Sequence, residues 1–300
     1  MSITQPSQAA GRMAPYGKLP VPHFTPELLA LIKTGTVHSL SMLYWEGMLV
    51  PGPMVPYTIS PRIRHGDLKD IVPASAAAEV ITMSAHTGTH IDALCHVGEF
   101  QDADGAVDLN GDVRLYAGEG QTVSAADHIT HTGQQHLSIA EMPPIVTRAV
   151  MLDIAGYHGV SVLPDNTSIT AADIRGTLEK QETEIRPGTA VLLRTGFAQH
   201  LLNNTVASRD AISGINLEAA QYLVSQGMIL AGADTMSVEV FPPFDHAVHR
   251  FLLVHNGITH LENVYLEELA AQQVYECVLT IAPLRLIGST GSWVHPLAFS

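Results

Sequence analysis

Apolar residues along this chain fall into two periods, and the order in which the periods alternate predicts an α/β architecture. Leu28, Leu29 and Ile32 recur at helical spacing behind Thr25-Pro26, a capping residue followed by the residue best suited to a first turn, and Gly35 marks the stop. Val37 to Leu43 and Glu79 to Ser84 read as strands. Arg148 to Ile154 is a short apolar run of the fully buried kind. Two helix and strand units follow. Thr170 with Asp173 forms a capping box opening a helix to about Glu182, and Ala190 to Arg194 returns as a strand. Leu217 to Gln226 is a second helix stopped by Gly227, and Met228 to Thr235 a second return strand. Val274 to Leu284 reads as a closing strand. This succession predicts a mixed or partly parallel sheet with helices outside it. Between the periodic stretches lie an irregular arm through Pro22, a proline-rich loop from Pro51 to Pro56, and a surface loop from Gln101 to Gly120. Residues 1–36 are expected to form an arm and helix, and residues 37–300 a single domain, because no linker, repeat or low-complexity segment divides them.

Composition changes this picture in two respects. Only 15% of the 300 residues are charged, and mean hydropathy is +0.17. A surface with so little charge to cover it predicts burial between copies, a homo-oligomer such as a dimer or tetramer. The balance of 15 basic against 29 acidic residues, a formal charge of −14, argues against a nucleic-acid or anionic-membrane partner and leaves small molecules. Cys95 and Cys277 make no disulfide framework, which fits a reducing cytoplasmic setting. No apolar run approaches the roughly 18 to 20 residues of a membrane-spanning helix, and the N-terminus lacks the basic start and apolar core of a signal peptide.

The candidate chemistry lies in Ser84-Ala-His86-Thr-Gly-Thr-His90-Ile-Asp92-Ala-Leu-Cys-His96. Histidine is common in this chain, with sixteen in all, so a His-x3-His pair alone says little. Here Gly88 lets the backbone bring His86 and His90 towards one point, and Asp92 shares a strand face with His90. Two imidazoles and a carboxylate are the donor set of a catalytic zinc or manganese site with an open position for water. Such an ion lowers the pKa of bound water from 15.7 to roughly 7 and polarises a carbonyl, so hydrolysis follows. His96 is surplus to that set, and its ordinary pKa of about 6.5 suits a proton shuttle.

The stretch resembles the signature of the cyclase-like metal-dependent hydrolases, His-x-Gly-Thr-His-x-Asp-x-Pro-x-His, a family that includes bacterial kynurenine formamidase and isatin hydrolase. His86, Gly88, Thr89, His90, Asp92 and His96 fall on it in register. Leu94 stands where the pattern has proline, a departure that bears on a narrow assignment to kynurenine formamidase and not on the metal ligands. The resemblance implies a swivelling β/β/α fold with a compact, barrel-like central sheet flanked by helices, and assigns the last histidine, His96, to proton transfer. It also implies a second metal held by His249 and Glu262. The alternative there is a surface histidine and a glutamate that opens a helix from Asn263 to Ala271. Asp234 and Glu239, in a segment that resembles one in the family, are expected to support the site. Tyr44 and Trp45 lie where the family has its active-site mouth, and either wall a flat apolar pocket or belong to the core. Asp102, Asp104, Asp108 and Asp112 miss the spacing of a twelve-residue calcium loop and read as solvated.

Two classes of function remain. One is a hydrolase that uses one ion, with a second one also allowed for, to open a cyclic or aryl amide or a lactone. The other is a metal-holding protein without turnover, which would be expected to close its coordination sphere. Amide against lactone is a property of the pocket and not of the fold.

Overall fold

The computed structural model describes residues 15–50, 52, 54–69, 73–203 and 211–300, with residues 201–203 described in backbone only. The first fourteen residues of the expected arm, together with Pro51 and Pro53 of the proline-rich loop, lie outside the described residues.

Among the described residues nine strands form one curled, mixed sheet. In chain order they are β1 (Val37–Ser39), β2 (His90–Asp92), β3 (Ile145–Asp153), β4 (Thr189–Arg194), β5 (Met228–Ala233), β6 (Thr259–Glu262), β7 (Glu276–Ile281), β8 (Gly291–Trp293) and β9 (Leu297–Phe299). They lie side by side in the order β1-β9-β7-β3-β4-β5-β6-β2-β8. The central run from β3 to β6 is parallel, and its flanks are antiparallel. Parallel strands are buried on both faces, which is why β4 and β5 read as unbroken apolar runs and every residue of both is buried.

Alternate residues of these strands serve two cores. Met151, Leu192, Leu230, Leu261 and Ile91 face one side. Val150, Leu152, Val191, Leu193 and Ala231 face the other, under the helices α1 (Ala171–Lys180) and α2 (Leu217–Ser225). The cap of α1 is the expected box: Asp173 N donates to Thr170 Oγ1 at 3.2 Å, and Thr170 N donates to Asp173 Oδ2 at 2.8 Å. Such a cap contributes about 1 kcal/mol. Asn216 caps α2 by accepting from Ala219 N at 2.9 Å. Among the described residues no helix is long and apolar enough to cross a membrane.

Several expectations need correction. Gln101 to Gly120 is not a loop throughout: Glu99–Gln101, Asp112–Gly118 and Gln121–Ser124 form a three-stranded antiparallel sheet. The alternation of Val113 and Leu115 with Arg114 and Tyr116 carries the middle strand, and the aspartates and glycines that dominate the composition crowd into the turns. No helix runs from Asn263, because Asn263 has φ 53°, a left-handed conformation that a helix cannot contain; the helix is Glu267–Ala271. Glu262 instead ends β6. The strand after Val274 does not close the chain, since β8 and β9 follow it as three-residue segments too short to show a period. The helix after Thr25 is a single turn, Pro26–Leu29, capped as expected by Thr25. Tyr16 and Leu19, from the end of the arm, are buried against the main core.

Candidate metal centre

The site is assembled at the β6-β2-β8 edge of the sheet. Antiparallel pairing sets Glu262 opposite His90 and His90 opposite Trp293, and sets Gly291 opposite Asp92. One step further along the same register, His260 faces Asp92. Residues two apart share a strand face, so His90, Asp92, His260 and Glu262 occupy the four corners of a square on one face. That face is the helix-covered one, because His260 is the parallel partner of Ala231. His249 reaches the square from Ala247–His249, a short helix that continues into a π-helical turn, Arg250–His255.

The loop before β2 is tied down on several sides. Gly88 has φ +64°, and a Cβ there would lie 2.4 Å from the Tyr44 ring. The carbonyl of Gly88 accepts from Asn263 Nδ2 at 3.1 Å and bonds His90 Nδ1 at 2.8 Å. That bond assigns the proton to Nδ1 and leaves His90 Nε2 free, 3.5 Å from Asp92 Oδ1 and 3.4 Å from Glu262 Oε2. Tyr44 is fixed by donating its hydroxyl to Thr89 O at 2.6 Å. His86 meets Thr290 Oγ1 through Nε2 at 3.0 Å and turns Nδ1 to Asp92 Oδ1 at 2.8 Å. Its ring fills the space over Gly291, where a Cβ would come within 2.6 Å. His96 is half-buried and stacks on His86, with centroids 3.9 Å apart. Leu94 uses its backbone N–H to donate to the Tyr16 hydroxyl at 2.9 Å, a bond that proline at this position could not make.

Glu239, expected only to support the site, orients His249: its Oε2 lies 2.6 Å from His249 Nδ1, and Val248 N donates to its Oε1 at 2.8 Å. A carboxylate on one ring nitrogen fixes the tautomer and points the other nitrogen at a metal position, and His249 Nε2 lies 3.7 Å from Glu262 Oε1. Asp234 is elsewhere. It accepts from Thr195 N, Thr195 Oγ1 and Gly196 N at 2.7 to 3.0 Å, holding the turn after β4. Tyr44 borders an apolar groove with Leu43, Met83 and Trp293, and Trp45 is not among its lining residues.

Electrostatics show what this cluster lacks. Burial disfavours charge on Asp92, yet the imidazoles of His96, His86 and His90 hold it well below the usual carboxylate range. Burial likewise opposes charge on Glu262, and His249 and His90 bring it down to about 2 against the repulsion of Asp92. His90 and His249 are desolvated, but the facing carboxylates push each up to about 10. Burial pushes His96 down to about 4 and His260 down to about 3, leaving both neutral near pH 7. Among the described residues, five buried donor atoms of this cluster have no hydrogen-bond partner: His86 Nδ1, both oxygens of Asp92, and both nitrogens of His260. Buried polar atoms are nearly always paired. Donor atoms that approach without hydrogen-bonding, in a cluster whose ion pairs are all with imidazoles, fit a divalent ion. Among the described residues two sets have the proximity for it, Asp92 with His249, His260 and Glu262, and His86 with Asp92 and His96.

The expected ligands His86, His90, Asp92, His249 and Glu262 are thus brought together with His96, and Glu239 stands behind them. His260 was missed. Its signal was present, since His260-x-Glu262 repeats the His90-x-Asp92 spacing on a second strand.

The model of a family described as "Putative cyclase" matches residues 23–240. The chain is 27% identical over 217 residues to the kynurenine formamidase of Bacillus cytotoxicus, covering 72% of this chain and 77% of that one. A crystal structure of a novel cyclase superposes with a TM-score of 0.78 at 26% identity, covering 92% of each chain. Isatin hydrolase A from Ralstonia solanacearum superposes at 0.65 with 20% identity over 93% of this chain and 97% of that one, a likeness of fold.

Proposed function

The chain belongs to the putative cyclase family, and from that premise we propose that it is a divalent-metal hydrolase that opens a small cyclic or aryl amide. The observation that carries the reading is the set of orphaned, inward-facing donors on His86 and Asp92 beside the half-buried His96. His86, His90 and Asp92 would hold one zinc or manganese ion, and His249 and Glu262 with Asp92 would provide for a second. An ion so held supplies Lewis acidity towards a carbonyl and acidifies water to a pKa of roughly 7.

The rest of the work falls to the protein. Gly88 O and Thr290 Oγ1 orient the two motif imidazoles, so that the donors are set before substrate arrives and little reorganisation is needed. His96 is neutral in the neutral pH range and stacks beside His86 with part of its side chain open, and its imidazole nitrogen takes a proton from the attacking water and returns it to the leaving nitrogen. The names of the relatives, kynurenine formamidase and isatin hydrolase, support an amide bond to an aromatic amine as the scissile bond. Loss of the anilide nitrogen needs that returned proton, which makes the shuttle more important for an amide than for a lactone.

A panel of N-formylated anilines, isatin-like cyclic amides and unsaturated lactones, assayed with and without a chelator, tests this. Chelator-sensitive turnover of the amides is expected. Turnover of the lactones alone would move the assignment to esters, and turnover that survives complete removal of metal would sink the reading.

A further inference from the structure

The square of His90, Asp92, His260 and Glu262 has one corner that the proposed function does not use. His260 is fully buried, and neither of its ring nitrogens has a hydrogen-bond partner. A buried imidazole left without partners is costly, and leucine of similar size would occupy a strand position more cheaply. The surroundings of the ring account for its presence. His260 Nδ1 lies 3.9 Å from Asp92 Oδ2, and the ring stands edge-on to His249 with centroids 4.6 Å apart. One donor atom each from Asp92, His249, His260 and Glu262 falls within 4.8 Å of the others. Two of the other members are held by groups outside the set: His249 by Glu239, and Glu262 by Val238 N, which donates to Oε1 at 3.0 Å. His260 needs no such tether, because the register of β6 against β2 fixes it opposite Asp92.

We propose that His260 is a metal ligand, the fourth protein donor to an ion shared with Asp92, His249 and Glu262. The inference rests on the metal-hydrolase reading and divides the labour between its two positions. Four protein donors close a coordination sphere, as in structural zinc sites, whereas three leave a place for water. The ion on His260 is then the tightly held, structural one, and the ion on His86, His90 and Asp92 is the exchangeable, reactive one.

Metal content after dialysis against a weak chelator, and calorimetric titration of apo protein with zinc and with manganese, test the assignment on wild type, His260→Leu and His260→Gln. Wild type is expected to retain two ions per chain. His260→Leu should lose one of them, or bind it at least ~100-fold more weakly, a greater effect than that of disturbing a residue behind a ligand. Melting of the apo proteins separates this from a folding defect. Apo His260→Leu should melt at or above apo wild type, since an unpartnered imidazole has been replaced by a hydrocarbon, and the order should reverse when metal is added. His260→Gln carries the same test if His260→Leu does not fold. An unchanged number of ions at unchanged affinity in the variants would overturn the ligand role while leaving the hydrolase reading intact. A wild-type protein that binds no divalent ion would overturn both.

Discussion

Two buried clusters of ionisable side chains lie on this one sheet, and they are completed by different means. At the ends of β3 and β4, Arg194 stands in register with Asp153. Its guanidinium donates to Glu267 through Nε and Nη2 at 2.9 Å each, to Asp153 at 2.6 Å and to Ser161 O at 3.2 Å. Gln199 adds a further bond to Glu267 at 2.6 Å. Every charge there meets a partner in the chain. At the β6-β2-β8 edge, by contrast, the ion pairs of Asp92, Glu239 and Glu262 are all with histidines, and five donor atoms have no hydrogen-bond partner among the described residues. Buried charge is tolerated only where it is compensated. The first cluster brings a guanidinium of its own; the second has the donor atoms to hold an ion from solution. The two differ in residue type, a guanidinium in one and imidazoles in the other, in depth of burial, and above all in which atoms are satisfied.

The sharpest way to break the contrast is Asp92→Asn. Both Asp92 oxygens face the cluster, and an amide keeps the shape while removing the charge that a divalent ion needs. Metal should be lost from both positions, and kcat/KM should fall by at least about four orders of magnitude, since several kcal/mol of charge stabilisation go together with the proton-transfer geometry. Metal analysis and steady-state kinetics on the purified variant check this. Wild-type metal content in Asp92→Asn would mean that the orphaned oxygens have another explanation.

His96→Ala sharpens the boundary of the metal-binding cluster. The structure places His96 near enough to His86 and Asp92 to be a donor, yet its ring lies face to face with that of His86, at an interplanar angle of 26°, and it is partly open to solvent. Stacked rings share a face and not a focal point, which favours the shuttle. The variant should keep its metal and lose about 10² to 10⁴ in rate. Metal binding at least tenfold weaker would instead make His96 a ligand.

How far the sequence revealed these clusters follows from their construction. The motif from His86 to His96 is local, so its donors were readable from spacing, and the parallel strands β4 and β5 were readable because burial on both faces leaves an apolar run. His260 shares a local spacing with Glu262, but its place opposite Asp92 depends on the register of β6 against β2, a pairing of residues about 170 apart that no local period records. Glu239 was placed as a supporter, but its partner His249 could be known only once the π-helical turn was seen. The short strands β8 and β9 gave no periodic signal, and the sheet from Glu99 to Ser124 was masked by the aspartates and glycines of its turns. The Arg194 cluster was invisible for the same reason as His260, since Asp153, Arg194 and Glu267 are joined only by the fold.

Arg194→Met tests the self-sufficient cluster, and its effect should appear in stability and not in metal or rate. Removing the guanidinium leaves Asp153 and Glu267, each with a side chain less than one-fifth exposed, facing each other without a cation. Breaking a buried pair by deleting one partner costs about 3 to 5 kcal/mol, because the remaining charge stays desolvated. Urea denaturation of the metal-loaded protein should show that loss, while ions per chain and kcat of the folded fraction stay at wild-type values. Replacing Asp153 and Glu267 by Asn and Gln in the same chain should recover much of it, as the uncompensated charges go with the cation. The corresponding neutralisation at the β6-β2-β8 edge, Asp92→Asn, cannot be rescued in this way, since function there requires the charge. If Arg194→Met instead cost less than about 1 kcal/mol, in the range of an exposed ion pair, the guanidinium would not be what compensates this cluster, and the distinction between a cation supplied by the chain and one supplied by solution would fail.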